Sequence, residues 1–314
     1  MRTFHAPGRV NLMGEYTDLV GGLVLPVAIE LGITLDCEAA ARTALRSPDA
    51  DGGWERYVAA VEAELRELGR PEVGIAGRLS SGLPAGAGLS SSAAPEVVTA
   101  LGLCSVADFE VDRADLAKAL RRAEHRAVGV PSGIMDQAAS LLCRRGHALL
   151  LDTGTLTYEH VPLPPGVRIV VFDSGIRRSL EHTGYARRKR ELEQGHPRRL
   201  RHVETENERV RAVVDALRRD DRAALGALFR AGHDSLRDDL EVSMPELDAL
   251  VDLAYRHGAF AARLTGGGFG GAVVALVEVQ LAARLADGVV GGYLGAGRAY
   301  TLETADGARE LTPA

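Results

Sequence analysis

A short stretch of glycine and serine around residue 88 has the composition of an anion-binding loop. Residues 82–94 read Gly-Leu-Pro-Ala-Gly-Ala-Gly-Leu-Ser-Ser-Ser-Ala-Ala. Glycine lets backbone N–H groups converge on one point, and the serines precede a predicted helix whose N-terminus favours a phosphate. A glycine-rich turn with a serine N-cap explains the same letters. The loop alone leaves both interpretations open.

Lysine is nearly absent, which limits the ways in which this chain could bind a nucleotide. The lysines are Lys118 and Lys189, and neither follows a glycine, so the Walker A sequence Gly-Lys-Ser/Thr is missing. The Val-Ala-Ile-Lys strand of protein kinases is missing too. A nucleotide would have to be bound without a phosphate-binding lysine of either kind.

One glutamate lies where a carboxylate needs a cation. Glu124 follows Leu120 by one helical turn and Leu116 by two, at the edge of an apolar stripe. A carboxylate drawn toward a core needs a positive partner, and Mg²⁺ accepts one or two carboxylates together with phosphate oxygens. A salt bridge to Arg121 or Arg122 is the alternative.

Hydrophobic periodicity and turn residues predict strands and helices in irregular order. The predicted strands lie near residues 4–13, 23–37, 73–80, 147–152, 167–173, 259–265, 271–278 and 297–303. The predicted helices cover 54–68, 91–103, 187–218 and 245–257, with one more between an N-cap at Asp112 and an end at Gly129. Because repeated βαβ units are missing, the pattern favours an α+β fold. The proline-rich turn at 163–166 predicts a boundary between domains 1–164 and 165–314.

Composition excludes several classes of function. The chain has 314 residues, 46% of them hydrophobic, and a net charge of -6, which argues against a nucleic-acid or acidic-membrane partner. No apolar run is long enough for a membrane span, and the first residues do not resemble a signal peptide. Cys37, Cys104 and Cys143 are odd in number and lack metal-site spacing, so we expect reduced core thiols and a cytoplasmic protein.

Several segments together resemble the GHMP kinases and, within that family, the galactokinases. Residues 88–94 are similar to the ATP loop of the family, and residues 6–18, Ala-Pro-Gly-Arg-Val-Asn-Leu-Met-Gly-Glu-Tyr-Thr-Asp, resemble the galactokinase signature. Further similar segments are 21–26, 130–137, 178–180, 185–188, 235–243, 245–248 and 264–271. They follow the expected order along nearly the whole chain. The resemblance implies two α+β domains, the first like domain 2 of ribosomal protein S5 and the second ferredoxin-like, with the active site in the cleft between them.

The resemblance also assigns roles to individual residues. It implies that ATP and Mg²⁺ are used and that a sugar receives a phosphoryl group on its anomeric hydroxyl, as in the conversion of D-galactose to galactose 1-phosphate. The catalytic residues would be Arg9 and Asp136. The sugar-binding residues would be Arg9, Glu15, Tyr16, Asp18, Gly133, Asp136 and Tyr185. ATP would be bound by Gly86, Gly88, Leu89, Ser90, Ser91, Ser92 and Ala93, and Mg²⁺ by Ser92 and Glu124. The glycines at 266–271 would form a backbone wall near the reacting groups or, alternatively, a tight structural turn.

Two departures from the galactokinase pattern leave alternatives open. Tyr16 stands where histidine is usual and Leu19 where tyrosine is usual, so a related sugar-1-kinase with another sugar preference is one alternative. A non-catalytic sugar sensor is another, although the Ser92-Ala93 pair that such proteins lose is intact here. A mevalonate or homoserine kinase is disfavoured, because the carboxylates of Glu15 and Asp18 would suit the hydroxyl groups of a substrate and repel an anionic one.

Overall fold

A computed structural model describes residues 1–47, 54–84, 88–89, 93–129, 132–176 and 184–311. The strands within these ranges are β1 (Arg2–Asn11), β2 (Leu23–Val24), β3 (Pro26–Ala40), β4 (Ala44–Arg46), β5 (Gly74–Ser81), β6 (His147–Asp152), β7 (Tyr158–Pro162), β8 (Val167–Asp173), β9 (Ala261–Thr265), β10 (Ala272–Glu278), β11 (Arg298–Leu302) and β12 (Arg309–Leu311). The α-helices are α1 (Glu55–Glu67), α2 (Ala93–Val106), α3 (Arg113–Val128), α4 (Met135–Leu142), α5 (Gly184–Glu193), α6 (Pro197–Arg218), α7 (Arg222–Asp238), α8 (Pro245–Arg256) and α9 (Ala282–Gly292).

The N-terminal half is built on a five-stranded sheet of order β12-β1-β3-β5-β4. Its long central strands β1, β3 and β5 are antiparallel, and β4 adds a parallel edge to β5. Helices α2 and α4 pack on this sheet, and α1 and α3 pack against these two helices, so that an apolar core is buried between the layers. The register between β1 and β3 shifts between Pro7 and Arg9, next to the glycine-rich loop. The last strand, β12, returns from the C-terminal end of the chain to pair with β1.

A second sheet organises the C-terminal half. Its order is β11-β8-β10-β9, all antiparallel, and the apolar strands β8 and β10 form its centre. A continuous run of apolar residues, as in β8 and β10, is expected of a strand that is buried on both faces. Helices α8 and α9 pack on one face, around Leu250, Leu264 and Leu285. A third, three-stranded sheet pairs β2 with β6 and β6 with β7. The prediction of a domain boundary after residue 164 stays a prediction.

Local signals predicted several helix ends correctly. The Asp112 side chain accepts hydrogen bonds from the backbone N–H groups of Ala114 and Asp115, at 2.8 and 3.3 Å, and so caps α3. Gly129 ends that helix with a φ of 75°, the left-handed conformation that glycine adopts most easily. The predicted strands at 147–152 and 167–173 are confirmed as β6 and β8.

Other parts of the secondary-structure prediction were wrong or incomplete. The segment 187–218 is two helices and not one, because Gly195 takes a φ of 75° and Pro197 then begins α6. Helices α4, α7 and α9 and strands β4, β7 and β12 were not predicted. In the part of the chain that the structure describes, no helix is both long enough and apolar enough to cross a bilayer.

Candidate active site

Strand β1 carries Arg9 past the glycine-rich loop. The Arg9 backbone N–H donates to the Leu89 carbonyl at 3.3 Å, and its Nη1 donates to the Gly88 carbonyl at 2.7 Å. A Cβ on Gly8 would lie 2.7 Å from the Leu89 carbonyl oxygen, so this close approach of two backbones needs glycine. Of the predicted ATP-binding residues, Gly86, Ser90, Ser91 and Ser92 lie outside the described residues. The other three are Gly88 and Leu89, which contact Arg9, and Ala93, which begins α2 and is fully buried.

The same arginine binds Asp136 with the other side of its guanidinium group. Nε donates to Oδ1 at 2.7 Å and Nη2 donates to Oδ2 at 2.9 Å, a bidentate pair. Asp136 lies in the first turn of α4, which Ser140 holds against β1 by donating to the Pro7 carbonyl at 2.9 Å. The Arg9 side chain is 7% exposed and that of Asp136 is 25% exposed. The carboxylate is thus fixed in place and still open to a substrate.

A cavity of about 180 Å³ opens beside this pair. It is smaller than the pockets of roughly 300–1,000 Å³ that hold drug-sized ligands, as suits a single small ring. Its lining includes all seven predicted sugar-binding residues and the predicted Mg²⁺ ligand Glu124. Gly266 and Gly267 contribute the backbone wall that the sequence suggested. Two further lining residues, Ser132 and Met135, were given no role, although both lie in the 130–137 segment.

Asp18 and Gly133 lie in close contact at the edge of the pocket. It lies in a 3₁₀-helix at Thr17–Leu19, and a Cβ built on Gly133 would overlap its carboxylate. Burial and, after it, the negative charge of Asp136 together raise the pKa of Asp18 to about 6, while Arg9 opposes the shift. A carboxyl group that is about half protonated near pH 6 can accept a hydrogen bond from a hydroxyl group or donate one to it.

Glu15 lines the pocket but directs its carboxylate into a buried ion cluster. Arg263 donates through Nη2 to Glu15 at 2.7 Å and to Glu206 at 2.8 Å, and all three side chains are at most 1% exposed. Glu206 also accepts from the Gly14 N–H at 2.9 Å. Sequence reasoning missed this cluster, and the one signal for it was an arginine inside the apolar strand β9.

The pKa values of the two carboxyl groups in the cluster shift in opposite directions. Burial raises the pKa of Glu15 to about 7, and the Glu206 anion adds to the shift while Arg263 opposes it. Burial also acts to raise the pKa of Glu206, but the charges of Arg263 and of other nearby groups outweigh it and lower that pKa to about 2. Glu206 is therefore the stronger acid of the two, and the direct contact of Glu15 with a sugar stays a prediction.

Tyr16 and Tyr185 form an aromatic pair at the pocket wall. Their ring centroids lie 5.1 Å apart with a tilt of 42°. The Tyr16 hydroxyl donates to the Gly267 carbonyl at 2.8 Å. Burial raises the pKa of Tyr185 well above 10, so its phenol is neutral at physiological pH. The structure thus assigns the hydroxyl proton of Tyr16 to the protein backbone.

Of the two predicted Mg²⁺ ligands, Glu124 is the one that the structure describes. Its Oε2 accepts hydrogen bonds from the Ser132 hydroxyl and, at 3.1 Å, from Gln137 Nε2. The same amide donates to Glu96 at 3.2 Å. Burial, followed by the charge of Glu124, raises the pKa of Glu96 to about 9, so Glu96 is the neutral member of the two acids.

Of the two arginines in the alternative salt bridge, Arg122 binds Glu64 at 2.7 Å, and Arg121 donates to the Ser132 carbonyl at 3.1 Å. Among the described residues, no group of three or more His, Cys, Asp or Glu side chains could hold a metal. One hydrogen-bonded carboxylate beside a pocket does fit Mg²⁺, because that ion usually takes one or two carboxylates and fills its shell with water and substrate phosphates.

Comparisons with known proteins match this chain along its length. Residues 2–38 match the galactokinase galactose-binding signature, residues 56–144 the GHMP kinases N terminal domain, and residues 213–290 the GHMP kinases C terminal domain. A galactokinase of Streptomyces coelicolor is 38% identical over 98% of this chain and 93% of its own length. The chain belongs to the galactokinase family. It is an enzyme of the kinase class, and ATP is therefore one of its substrates.

Other galactokinases and solved structures agree with this assignment. The Bos taurus galactokinase is 38% identical over 98% of this chain and 91% of its own length. The crystal structure of Lactococcus lactis galactokinase complexed with galactose superimposes with a TM-score of 0.90 and 28% identity, covering 99% of this chain and 95% of that one. L. major mevalonate kinase, at 21% identity and a TM-score of 0.76, shares the fold. The predicted GHMP kinase fold is confirmed.

Proposed function

We propose that this galactokinase-family enzyme transfers the γ-phosphoryl group of ATP to the C1 hydroxyl of D-galactose, producing galactose 1-phosphate and ADP. The observation that carries the proposal is the double contact of Arg9. One side of its guanidinium group binds the carbonyl of Gly88 in the ATP loop, and the other binds Asp136 at the wall of the small pocket. The Lactococcus relative binds galactose, and galactokinases cover nearly all of this chain.

In the proposed reaction, the sugar C1 oxygen attacks the γ-phosphorus while ADP leaves from the opposite side. Asp136 orients the C1 hydroxyl and takes its proton, and Arg9 offsets negative charge on the transferring phosphoryl group. Phosphoryl transfer passes through a loose transition state, in which the attacking hydroxyl becomes acidic late. A concerted base role and a mainly electrostatic role of Asp136 both fit this geometry.

We also propose that the reaction uses Mg²⁺ held by Glu124 and by Ser92, which lies outside the described residues. The ion, when bound, neutralises charge on the phosphate oxygens. Gln137 and Ser132 orient the Glu124 carboxylate for this task through the hydrogen bonds at its Oε2.

A cytoplasmic location forms part of the proposal. Cys37, Cys104 and Cys143 are all buried and carry free thiols. Free thiols are typical of a reducing compartment, where ATP is also available.

A panel of sugars tests the function directly. The purified enzyme is incubated with ATP and Mg²⁺ and with galactose, glucose, mannose, N-acetylgalactosamine, L-arabinose or 6-deoxygalactose. ADP release is recorded, and ³¹P NMR identifies the phosphate ester. We expect galactose to have the highest kcat/KM and the product to be the 1-phosphate. A better substrate elsewhere in the panel would refute galactose as the preferred acceptor, and sugar binding without ADP release would indicate a sensor. Asp136→Asn is the negative control for catalysis.

A further inference from the structure

Three consecutive residues at the end of β9 are attached to the N-terminal motif by side-chain hydrogen bonds. The Thr265 hydroxyl accepts from the Asn11 N–H at 3.1 Å and donates to the Asn11 carbonyl at 2.9 Å. The Gly266 N–H donates to Glu15 Oε1 at 3.3 Å. The Gly267 carbonyl accepts from the Tyr16 hydroxyl at 2.8 Å. These contacts link segments about 250 positions apart, and Gly266 and Gly267 are the pocket wall.

The glycine segment needs such attachments. Gly266, Gly268, Gly270 and Gly271 all have positive φ angles, between 71° and 110°. Glycine keeps the widest backbone freedom of any residue, so a run of glycines is ordered only where its surroundings hold it. The hydrogen bond from the Tyr16 hydroxyl to the Gly267 carbonyl is one of these attachments.

Tyr16 is itself held in an unusual conformation. Its φ is 67°, in the left-handed region that side-chain-bearing residues rarely adopt. The side chain is buried, with 4% of the residue exposed, and its ring packs on Tyr185. Such a conformation persists when the surrounding structure determines it from several sides. Its phenol carries a single proton, and that proton is used on Gly267.

We propose that Tyr16 is a positioning residue, whose hydroxyl fixes the Gly266–Gly267 wall and so shapes the acceptor pocket, and that it is not a hydrogen-bond donor to the sugar. This inference deepens the proposed function and rests on it for its kinetic part. It also gives a physical meaning to tyrosine at this position, because its side chain is long enough to reach the Gly267 carbonyl.

Tyr16→Phe removes the hydroxyl and keeps the ring. Tyr255→Phe is a matched control, because the Tyr255 hydroxyl shares its single proton between the carbonyls of Gly226 and Ala262, both at 3.2 Å, and does not line the pocket. Losing one hydrogen bond of ordinary strength corresponds to about a five-fold change in an equilibrium constant. We therefore expect Tyr16→Phe to raise the KM for galactose about five-fold with kcat nearly unchanged, and Tyr255→Phe to leave the KM as it is.

Monodeoxy sugars separate a positioning role from direct sugar contact. KM is measured for galactose and for its 2-, 3-, 4- and 6-deoxy derivatives with wild type and Tyr16→Phe. A positioning role predicts the same fold-increase for every sugar, because the wall moves for all of them. If Tyr16 instead donates to one sugar hydroxyl, Tyr16→Phe should raise the KM for every sugar except the one that lacks that hydroxyl. That second outcome would overturn the proposal.

Hydrogen–deuterium exchange tests the proposal without any substrate. In the sugar-free protein, amides in the peptide covering residues 264–271 should exchange faster in Tyr16→Phe than in wild type, whereas Tyr255→Phe should leave that peptide unchanged. Equal exchange in wild type and Tyr16→Phe would overturn the proposal even if KM changed. If the wild-type enzyme does not phosphorylate galactose, the proposed function fails, and the exchange result still decides whether Tyr16 holds the wall.

Discussion

Replacing Asp136 with asparagine keeps the shape of the side chain and removes its charge and its capacity to take a proton. We expect kcat to fall by about 10²–10⁴-fold, the usual contribution of a positioned acid or base, which corresponds to about 3–5 kcal/mol on the barrier. The KM for galactose should change much less, because the rest of the pocket lining is intact. The measurement is ADP release at saturating galactose and ATP.

The structure also sets the cost of this substitution to folding. The asparagine amide can accept only one of the two hydrogen bonds that Arg9 gives to Asp136 at 2.7 and 2.9 Å, and its N–H groups face the guanidinium. A hydrogen bond to a charged group contributes about 1.5–3 kcal/mol, and the 25% exposure of Asp136 places the loss at the lower end. The melting temperature should fall by a few degrees, and unfolding should stay cooperative.

Because Arg9 and Asp136 form one unit, their substitutions should not add. Arg9→Met alone should lower kcat strongly, and the double variant should be little worse than the weaker single variant. The reasoning fails if Asp136→Asn keeps more than about a tenth of the wild-type kcat with its melting transition intact, since a positioned catalytic group loses at least about 10²-fold. Fully additive losses would show that the two residues act separately.

Three more predictions concern neighbouring residues. Burial raises the pKa of Asp18 to about 6, so its stabilising effect on the fold is complete below about pH 4 and is lost as the pH rises through 6. Asp18→Asn should thus melt at a higher temperature than wild type at pH 8 and at the same temperature below pH 4, and equal melting at pH 8 would contradict this. Gly133→Ala, whose Cβ would overlap the Asp18 carboxylate, should raise the galactose KM more than ten-fold, whereas Gly291→Ala, with no atom within 4 Å, should not. Gln137→Leu removes a donor to Glu124 and should raise the Mg²⁺ concentration for half-maximal activity, and weaken Mg²⁺-dependent ADP binding in calorimetry, by about 10-fold or more.

Features that depend on neighbouring residues were predictable from the sequence. The ends of α3 follow from a capping aspartate and a terminal glycine, and the bounds of β6 and β8 follow from apolar runs between turns. The residues that line the pocket were grouped together by motif resemblance. Which atoms they would use could not be derived in that way.

Features that depend on distant segments were not predictable. Glu15 binds an arginine 248 positions away, and no pattern in one sequence links the two. Tyr16 was expected to bind a sugar, and the carbonyl partner of its hydroxyl lies 251 positions away. The pKa of Glu96 depends on a second carboxylate on another helix. Such pairings are decided by packing in three dimensions, where burial makes each polar group find a partner.

The division of labour around the pocket has a practical consequence for engineering. Arg9 lies on β1 and Asp136 on α4, whereas the Gly266–Gly267 wall directly follows β9. A library aimed at other acceptors can therefore vary the wall and Tyr16 without changing Arg9 or Asp136. Such a library should keep the reciprocal bonds between Asn11 and Thr265, because they join the two halves independently of the residues being varied.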